Sequence, residues 1–414
     1  MPNTLLTPVM ITREALRVLH NNLVFVKAVN RQYSSEFAVS GAKIGSTVNV
    51  RKPNRYFVRK GPVMSTQNTT ETFVPLTITT QWGVDINFTS AELALSLDDF
   101  SKRILTPACA RIAAQIDFDG LGLFTDIYNQ VGTPGQTPGT TAGAGLLQST
   151  TPIVFLNSGV VLDNNATPRD ESRRILLNPT AMAQSVQGLS GLWNDQETVG
   201  EQYKKGVLGK ALGFEFAMDQ NINLFTTGTH GGTPVVSAAG QTGASLLTSG
   251  WTALATVLKK GDIFTIALVN GVNPENQQST GGLQYFVATA DVTADAGGLA
   301  TIPISPSIKL AGTNIADGTV TALPAFGAAL TLMSGAASTQ FPINLAYHQD
   351  AFTFASVDLP LPGGVDFAAR EIYDGISMRI VRAFDINNDQ MPCRIDVLGG
   401  FATLRPELAC RITG

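Results

Sequence analysis

Near the start of the chain, apolar residues recur at every third or fourth position, which is the period of one face of an α-helix. In the segment TREALRVLHNNLVFVKAVN this apolar stripe consists of Leu16, Leu19, Leu23 and Val26. Thr12 stands where a helix N-cap is expected, so the pattern predicts a helix that begins there. We expect this isolated helix to pack on another part of the fold or on a neighbouring subunit.

The period then changes to strict alternation in two segments, KIGSTVNVRKPNRYFVRKG and ETFVPLTITTQWGVDINFTS. Both are rich in Val, Thr, Phe and Ile, which favour β-strands. A polar stretch with Gly and Pro separates them, so together they predict a long two-stranded arm. Because a lone hairpin is only marginally stable in water, the arm is expected to lie on another surface.

A helical period follows from Thr89, which has Glu92 at the spacing of a capping box. Apolar residues then step by four at Ile104, Ala108, Ile112 and Ile116. We predict one long spine helix with a kink near Pro107. Asp117 and Asp119 lie two apart and point to different faces, so we interpret them as a solvated or inter-subunit face rather than a carboxylate pair.

Shorter elements are predicted in the middle of the chain. RRILLNP indicates a short buried strand after a helical segment, TAMAQSVQGLSGLWN a short helix, and KGVLGKALGFEFAMDQNI a turn and a strand. Residues 226–341 differ in character, because they contain only eight charged residues and no arginine. Short β-type runs separated by Gly and Asn turns predict a small β-barrel there. Its flanking segments resemble neighbouring strands of one parent domain, so we infer an insertion.

These elements define an α+β fold with five parts. We predict the following boundaries: an N-terminal helical arm at 1–35, an extended two-stranded loop at 36–88, a spine helix with central α/β domains at 89–225, an inserted β-barrel at 226–341, and a return to the central domain with C-terminal strands at 342–414.

Charge is scarce in the 414-residue chain, at 14% of residues, with 28 Lys and Arg against 32 Asp and Glu. This near-neutral balance provides no strong field for steering toward nucleic acid. So low a charge content indicates either an exposed surface that is polar but uncharged or a surface that is largely buried against partners, and we take it as a first hint of assembly. Three sparse cysteines, Cys109, Cys393 and Cys410, argue against a disulfide framework and indicate buried thiols in a reducing cytoplasm. The first residues do not resemble a signal peptide, and no apolar run reaches the length of a membrane span.

Catalytic chemistry has one candidate stretch, NLAYHQDAFTFASVDLPLPGG, which holds His348, Asp350, Ser356 and Asp358. A hydrolase nucleophile is presented on a strained turn, whereas Ser356 lies in a run that alternates like a strand. Asp350 is too close in sequence to His348 to orient it from a second element. We therefore expect these residues to be structural.

Metal and cofactor sites are not expected either. His20, on a helix, and His230, in a glycine-rich turn, share no ligand spacing with each other or with His348, and no cysteine pair joins them. The segments AKIGST and KGVLGKAL lack the spacing of a phosphate-binding loop.

Basic residues cluster on the first strand of the predicted arm: Arg51, Lys52, Arg55, Arg59 and Lys60. The cluster is open to three interpretations, which are a solvated arm, a nucleic-acid contact and an inter-subunit contact. We favour pairing between subunits, with acidic helix residues such as Asp98 or Asp99 as partners.

The order of elements, together with three stretches, carries a resemblance to a known family. The stretches are LKKGDIFTIALVNGVNPENQQSTGGLQYFVATADVTADAGGLATIPISPSI, NLAYHQDAFTFASVDLPLPGG and GISMRIVRAFDINNDQMPCRIDVLGGFATLRPELACRI. The chain resembles the major capsid (coat) proteins of tailed bacteriophages with the Hong Kong 97 (HK97) type fold. It looks most like those of short-tailed Salmonella-type phages, which carry an inserted β-barrel.

The resemblance implies a structural protein with no catalysis and no cofactor. Its copies would form pentamers and hexamers of an icosahedral procapsid around scaffolding protein, with a portal. The shell would enclose double-stranded DNA without sequence specificity and expand as it matures in the host bacterial cytoplasm. Two alternatives are a bacterial nanocompartment shell of the same fold and a secreted β-rich hydrolase or adhesin.

Overall fold

The structure is a computed structural model, and it describes residues 8–33, 47–69, 71–87, 104–135, 153–189, 209–312 and 315–413. Its α-helices are α1 Pro8–Asn22, α2 Phe25–Ala28, α3 Thr106–Leu121, α4 Ile153–Asn164 and α5 Pro179–Leu189. Short 3₁₀ helices span Gly122–Asp126, Gln349–Ala351 and Pro406–Leu408.

The strands are numbered in chain order. The first twelve are β1 Thr47–Arg51, β2 Phe73–Thr77, β3 Thr80–Ile86, β4 Gln130–Val131, β5 Arg173–Leu177, β6 Lys210–Ala211, β7 Phe214–Met218, β8 Leu224–Thr226, β9 Gly232–Val236, β10 Gly243–Trp251, β11 Thr256–Leu258 and β12 Ile263–Val272. The others are β13 Ser279–Ala288, β14 Val292–Thr293, β15 Ala300–Ile308, β16 Leu330–Leu332, β17 Gln340–Pro342, β18 Asn344–His348, β19 Phe352–Val357, β20 Phe367–Tyr373, β21 Ile376–Arg382, β22 Cys393–Thr403 and β23 Ala409–Ile412.

The chain divides into two compact units. The first consists of residues 1–51, 73–121 and 352–404, and the second of residues 52–72, 122–351 and 405–414. This division cuts the chain at other places than the five predicted boundaries, which stay a proposal.

The first unit is organised around the long strand β22. Strands β19 and β21 pair with different parts of β22, and β3 pairs with it as well, all antiparallel. Gly400 lies where β2 ends close to this strand, because an added Cβ would come within 2.1 Å of the carbonyl oxygen of Thr77. The predicted C-terminal strands are therefore confirmed. One of them, β22, also pairs with β3, which was predicted to belong to the two-stranded arm.

The N-terminal helix packs on α3 and β20 of its own unit. The predicted apolar stripe is confirmed, since Leu16, Leu19, Leu23 and Val26 are all buried. The helix is described from Pro8, so the prediction that it begins at Thr12 is wrong, because Thr12 is a buried residue inside it. It also breaks at Val24 and resumes as α2. The break is stabilised by the buried carboxylate of Asp117, which accepts hydrogen bonds from the backbone N–H groups of Val24, at 2.6 Å, and Val26, at 3.0 Å.

The spine helix is described from Thr106, with Pro107 in its first turn, where proline is tolerated. Its prediction for residues 89–103 lies outside the described residues. The interpretation of Asp117 and Asp119 as a solvated or inter-subunit face is wrong for Asp117, whereas Asp119 is exposed as expected. Asp117 is fully buried, and Asp119 accepts a hydrogen bond of 2.7 Å from the indole Nε1 of Trp82. The contacts with Val24, Val26 and Trp82 could not be recognised from the sequence, because these donors lie far away along the chain. Asp119 also accepts a hydrogen bond of 2.8 Å from Gln115, four residues before it.

The two-stranded arm is shorter than predicted. Strand β1 pairs with β2 in a register from Thr47↔Thr77 to Arg51↔Phe73, and β3 pairs with β22 instead of with the arm. The described residues between 52 and 72 contain no regular strand. Within this extended segment, the side chain of Gln67 bonds to the backbone N–H and carbonyl of Phe57, at 3.0 and 3.1 Å. One amide side chain thus replaces part of a strand ladder.

The second unit contains a six-stranded mixed sheet of order β4-β23-β18-β5-β7-β6. Helices α4 and α5 contribute Phe155, Leu162, Ala181 and Met182 to a core shared with this sheet. The buried strand, the short helix and the turn with a strand predicted between 173 and 218 are confirmed as β5, α5 and the β6–β7 hairpin. Strand β18 lies between β5 and β23 and is buried over its whole length.

The predicted β-barrel is a six-stranded sheet of order β16-β12-β13-β15-β10-β9. Its two outer strands also meet, because Val235 bridges to Ala329 and the N–H of Val236 donates to the carbonyl of Ala328. The sheet therefore closes on a core that includes Leu246, Phe264, Phe286 and Ile302. Thr226 of β8 pairs with Gln340 of β17, so the chain enters and leaves this region side by side.

Candidate functional site

The histidine of the candidate catalytic stretch is held by structural contacts. His348 ends the buried strand β18, and its Nε2 lies 3.2 Å from both carboxylate oxygens of Asp170. Its Nδ1 accepts a hydrogen bond of 3.2 Å from the backbone N–H of Asp350, which assigns the proton to Nε2. Burial alone raises the pKa of Asp170, but hydrogen bonds from Ser172 and His348 outweigh it and hold that pKa below its usual value.

The serine of the stretch has both of its hydrogen-bonding roles occupied. Ser356 lies in β19 and is buried. Its Oγ accepts a bond of 3.0 Å from the N–H of Ser377 and donates one of 3.1 Å to the carbonyl of Leu398. Asp358 forms an ion pair with Arg370 at 3.5 Å. His348, Ser356 and Asp358 therefore bond to separate partners and not to one another, as expected for structural residues.

The other two histidines also face carboxylates. His20 Nε2 lies 2.9 Å from Asp374 Oδ2, and its ring stacks edge-on against Tyr373. His230 Nε2 lies 3.1 Å from Oδ1 of the fully buried Asp262. Among the described residues, no group of three or more His, Cys, Asp or Glu is placed to hold a metal ion.

The three cysteines are free and buried, which confirms the expectation of buried thiols. Burial raises the pKa of the Cys393 thiol to about 11 and that of Cys109 to about 12. Such thiols stay protonated near neutral pH and are poor nucleophiles. In the described part of the chain, no helix is long and apolar enough to cross a membrane.

The basic residues lie on exposed chain, but most are not in a strand. Arg51 ends β1 in the first unit, whereas the other four belong to the extended segment of the second unit. Arg55 pairs with Glu407 of the same chain at 3.3 Å, and Arg59 donates to the carbonyl of Gly61. The proposed acidic partners Asp98 and Asp99 lie outside the described residues.

Three of these cations and several apolar side chains make the extended segment an unusual surface. Lys52, Arg59 and Lys60 form no ion pair with the residues that the structure describes. Beside them, Val58, Val63 and Met64 are exposed at 88%, 81% and 77%. Large apolar side chains so exposed suggest a surface that another molecule covers.

A buried charged cluster in the second unit was not predicted from the sequence. Arg411 of β23 is fully buried, and its Nη1 donates a hydrogen bond of 2.6 Å to the carbonyl of Gly261. Its guanidinium carbon lies 5.3 Å from the ring centroid of Phe124 and 5.8 Å from that of Phe225. Burial lowers the pKa of Arg411 to about 9, although Asp262 and Asp126 act in the opposite direction. The only sequence signal was a lone arginine within the apolar run LACRI.

Comparison with known proteins identifies the class as phage coat proteins. A family model described as "P22 coat protein - gene protein 5" matches residues 3–414. The chain belongs to the P22 coat protein family. It is thus a major capsid protein of the phage shell, a structural protein and not an enzyme, with an α+β fold of the HK97 type.

Solved structures from phages resemble the chain at low sequence identity. One from Mycobacterium phage Che8 has a TM-score of 0.47 and 10% identity, covering 94% of this chain and 90% of that chain. The capsid of the cyanophage P-SCSP1u has a TM-score of 0.41 and 10% identity, covering 91% and 84%. The mature capsid of bacteriophage PhiM1 has a TM-score of 0.42 and 8% identity, covering 89% and 82%. No curated protein sequence matches the chain.

Replacing Ser356 or His348 by Ala should abolish no catalytic activity, because we expect the parent protein to have none. Ser356→Ala should instead lower the free energy of unfolding by about 1–3 kcal/mol, because Ser377 N–H and Leu398 C=O lose their buried partner. Urea unfolding of the subunit measures this change, and a generic ester substrate measures hydrolysis. Ester hydrolysis by the parent protein that disappears in either variant would contradict the structural interpretation.

Proposed function

We propose that copies of this chain form pentamers and hexamers of an icosahedral procapsid, assembled around scaffolding protein in the cytoplasm of the host bacterium. The shell then carries a portal, receives double-stranded DNA and expands to the mature head. Membership of the P22 coat protein family carries this proposal, because it gives the chain a place in a phage shell. The resemblance to coat proteins of short-tailed phages supports the finer steps.

The charge distribution supports a shell that encloses DNA without binding it tightly. The chain has a net charge of −4, and its barrel region contains no arginine. Each lysine of that region pairs with an aspartate: Lys259 with Asp291, Lys260 with Asp126, and Lys309 with Asp317. Because tight DNA binding requires many cations free to neutralise phosphates, this region is a poor DNA-binding surface.

Negative-stain electron microscopy of the purified protein, with and without the cognate scaffolding protein, tests the proposal. We expect closed shells of phage size when both proteins are present. Small cages formed by the chain alone would favour a nanocompartment shell. Absence of any assembly, with or without scaffolding protein, would contradict the proposed function and leave a β-rich hydrolase or adhesin to be considered.

We further propose that the extended segment, residues 52–72, contacts a neighbouring subunit. Its exposed side chains Val58, Val63 and Met64 provide apolar area to bury, and Arg59 and Lys60 provide charge for an acidic surface on the neighbour. Since Arg55 already pairs with Glu407 of its own chain, Arg59 and Lys60 are the better candidates for pairing between subunits. The segment that contains Asp98 and Asp99 is the acidic partner that we favour.

Reversing both charges, by Arg59→Glu with Lys60→Glu, should leave the subunit folded but shift it away from closed shells. A single exposed pair contributes only about 0–1 kcal/mol, but the contact repeats around every subunit. The defect should depend on salt, because screening weakens both the pairs and the new repulsion. Sedimentation at low and high salt measures the shell fraction.

A matched control is Arg169→Glu with Lys309→Glu, which alters net charge equally. Both residues are exposed, and each pairs within its own chain, with Asp163 and Asp317 respectively. The control should assemble normally. If the Arg59 and Lys60 variant assembles like its parent at every salt concentration, the segment is a solvated surface and the contact proposal is wrong.

The inserted β-barrel at 226–341 is also proposed as an independently folding part. The pairing of Thr226 with Gln340 supports this, because both ends of an insertion must lie close together. Its core, which includes Phe264 and Phe286, is built from its own strands. Expressed alone, it should show a β-type circular dichroism spectrum and one cooperative thermal transition. A protease-sensitive fragment without a transition would refute the boundaries.

A further inference from the structure

The buried Arg411 is an expensive residue for a protein interior. It has one hydrogen bond, to the carbonyl of Gly261, while its Nε and Nη2 meet no hydrogen-bond partner among the described residues. Replacing buried charges by apolar side chains of similar volume is often neutral or stabilising, so net stability alone is a weak reason for an arginine here. Unlike an apolar residue, arginine places a planar group of hydrogen-bond donors with a fixed direction between the rings of Phe124 and Phe225.

Four segments that are distant in sequence meet at this guanidinium. They are the 3₁₀ helix Gly122–Asp126 with Phe124, strand β8 with Phe225, the turn 259–262 at the start of β12, and the C-terminal strand β23. Lys260 and Asp126 join two of them at the edge, with 3.2 Å between Nζ and Oδ1. The arginine therefore lies where the barrel's base meets the rest of its unit.

Hydrogen bonds to Asp262 hold the turn 259–262 in place beside Arg411. Asp262 accepts hydrogen bonds from the N–H groups of Gly228, at 2.9 Å, and Lys259, at 2.7 Å, and from Ser334 Oγ at 2.7 Å. Gly261 has φ +103°, and a Cβ there would lie 3.2 Å from the ring of Phe225. Glycine is thus required both for the backbone angle and for the close approach.

We propose that Arg411 is a clasp, a positioning residue through which the C-terminal strand fixes the base of the β-barrel. Its single strong hydrogen bond sets the direction of the turn 259–262. The faces of Phe124 and Phe225 hold the guanidinium plane, a cation–π arrangement suited to arginine. Because Arg411 lies in β23, the clasp closes only after that strand has paired with β18. This inference concerns the subunit alone and stands whether or not the chain builds shells.

Hydrogen exchange of the full-length subunit tests the clasp, with Arg411→Met as the main variant. Methionine fills the space between the rings but donates nothing to Gly261. We expect exchange at the amides of Gly228, Lys259 and Gly261 to become about tenfold faster or more, as when a buried carbonyl loses its donor. Amides on the far side of the barrel, such as those of Val236 and Ala311, should keep the parent rate.

Arg394→Met serves as the control, since Arg394 forms a surface ion pair with Asp85 in the other unit. It should leave the base of the barrel unchanged. Arg411→Lys is the second variant, for use if Arg411→Met gives no folded protein. Lysine keeps the charge but lacks the planar fork, so it should loosen the same amides.

Two results would overturn the proposal. Equal acceleration throughout the barrel would make Arg411 an ordinary core residue, and unchanged exchange at the base would show that the hydrogen bond to Gly261 fixes nothing. Failure of both variants to fold would also count against it, because a residue that only positions the barrel is not required for the fold.

Discussion

The pairing of strand β18 with β5 on one side and β23 on the other is the constraint on which the second unit depends. All five residues of β18 are buried, and their register joins Leu345 to Leu176 and to Arg411. The three strands come from the middle of the chain, from the segment after the barrel and from the C-terminus. A slip of one residue would exchange the two faces of β18, so the register is strongly specified. The chain must therefore leave the barrel at one particular place, where β17 pairs with β8.

Local patterns in the sequence predicted those elements that form the same helix or strand whichever segment they pack against. The stripe from Leu16 to Val26, the strand at 173–177 and the alternating runs of the barrel were all visible, because helix and strand periods persist wherever an element packs. The family resemblance then supplied the order of the parts. The start of α1 was misplaced at Thr12, although the sequence has Thr7 directly before Pro8, and threonine is a favoured N-cap residue and proline a favoured first helical residue.

Long-range partners explain most of what could not be predicted from the sequence. Alternation in the predicted arm suggested one long hairpin, yet β3 found a partner in β22, more than three hundred positions later. The carboxylates of Asp117 and Asp170 likewise bind groups that no local spacing connects to them. The candidate catalytic residues could be judged correctly from the strand pattern around Ser356. The contacts of Arg411 could not be predicted from the sequence, because they come from three other segments of the chain.

The extended segment has a cost for subunits that have not yet assembled. Its described residues form no strand ladder, and their backbone contacts include only local ones, such as Lys52 N–H to the carbonyl of Thr72 and those that Gln67 makes with Phe57. Exposed apolar side chains on extended chain of this kind promote aggregation, and charged neighbours oppose it. Arg59 and Lys60 lie between the exposed Val58 and Val63, where charged side chains oppose the aggregation of free subunits.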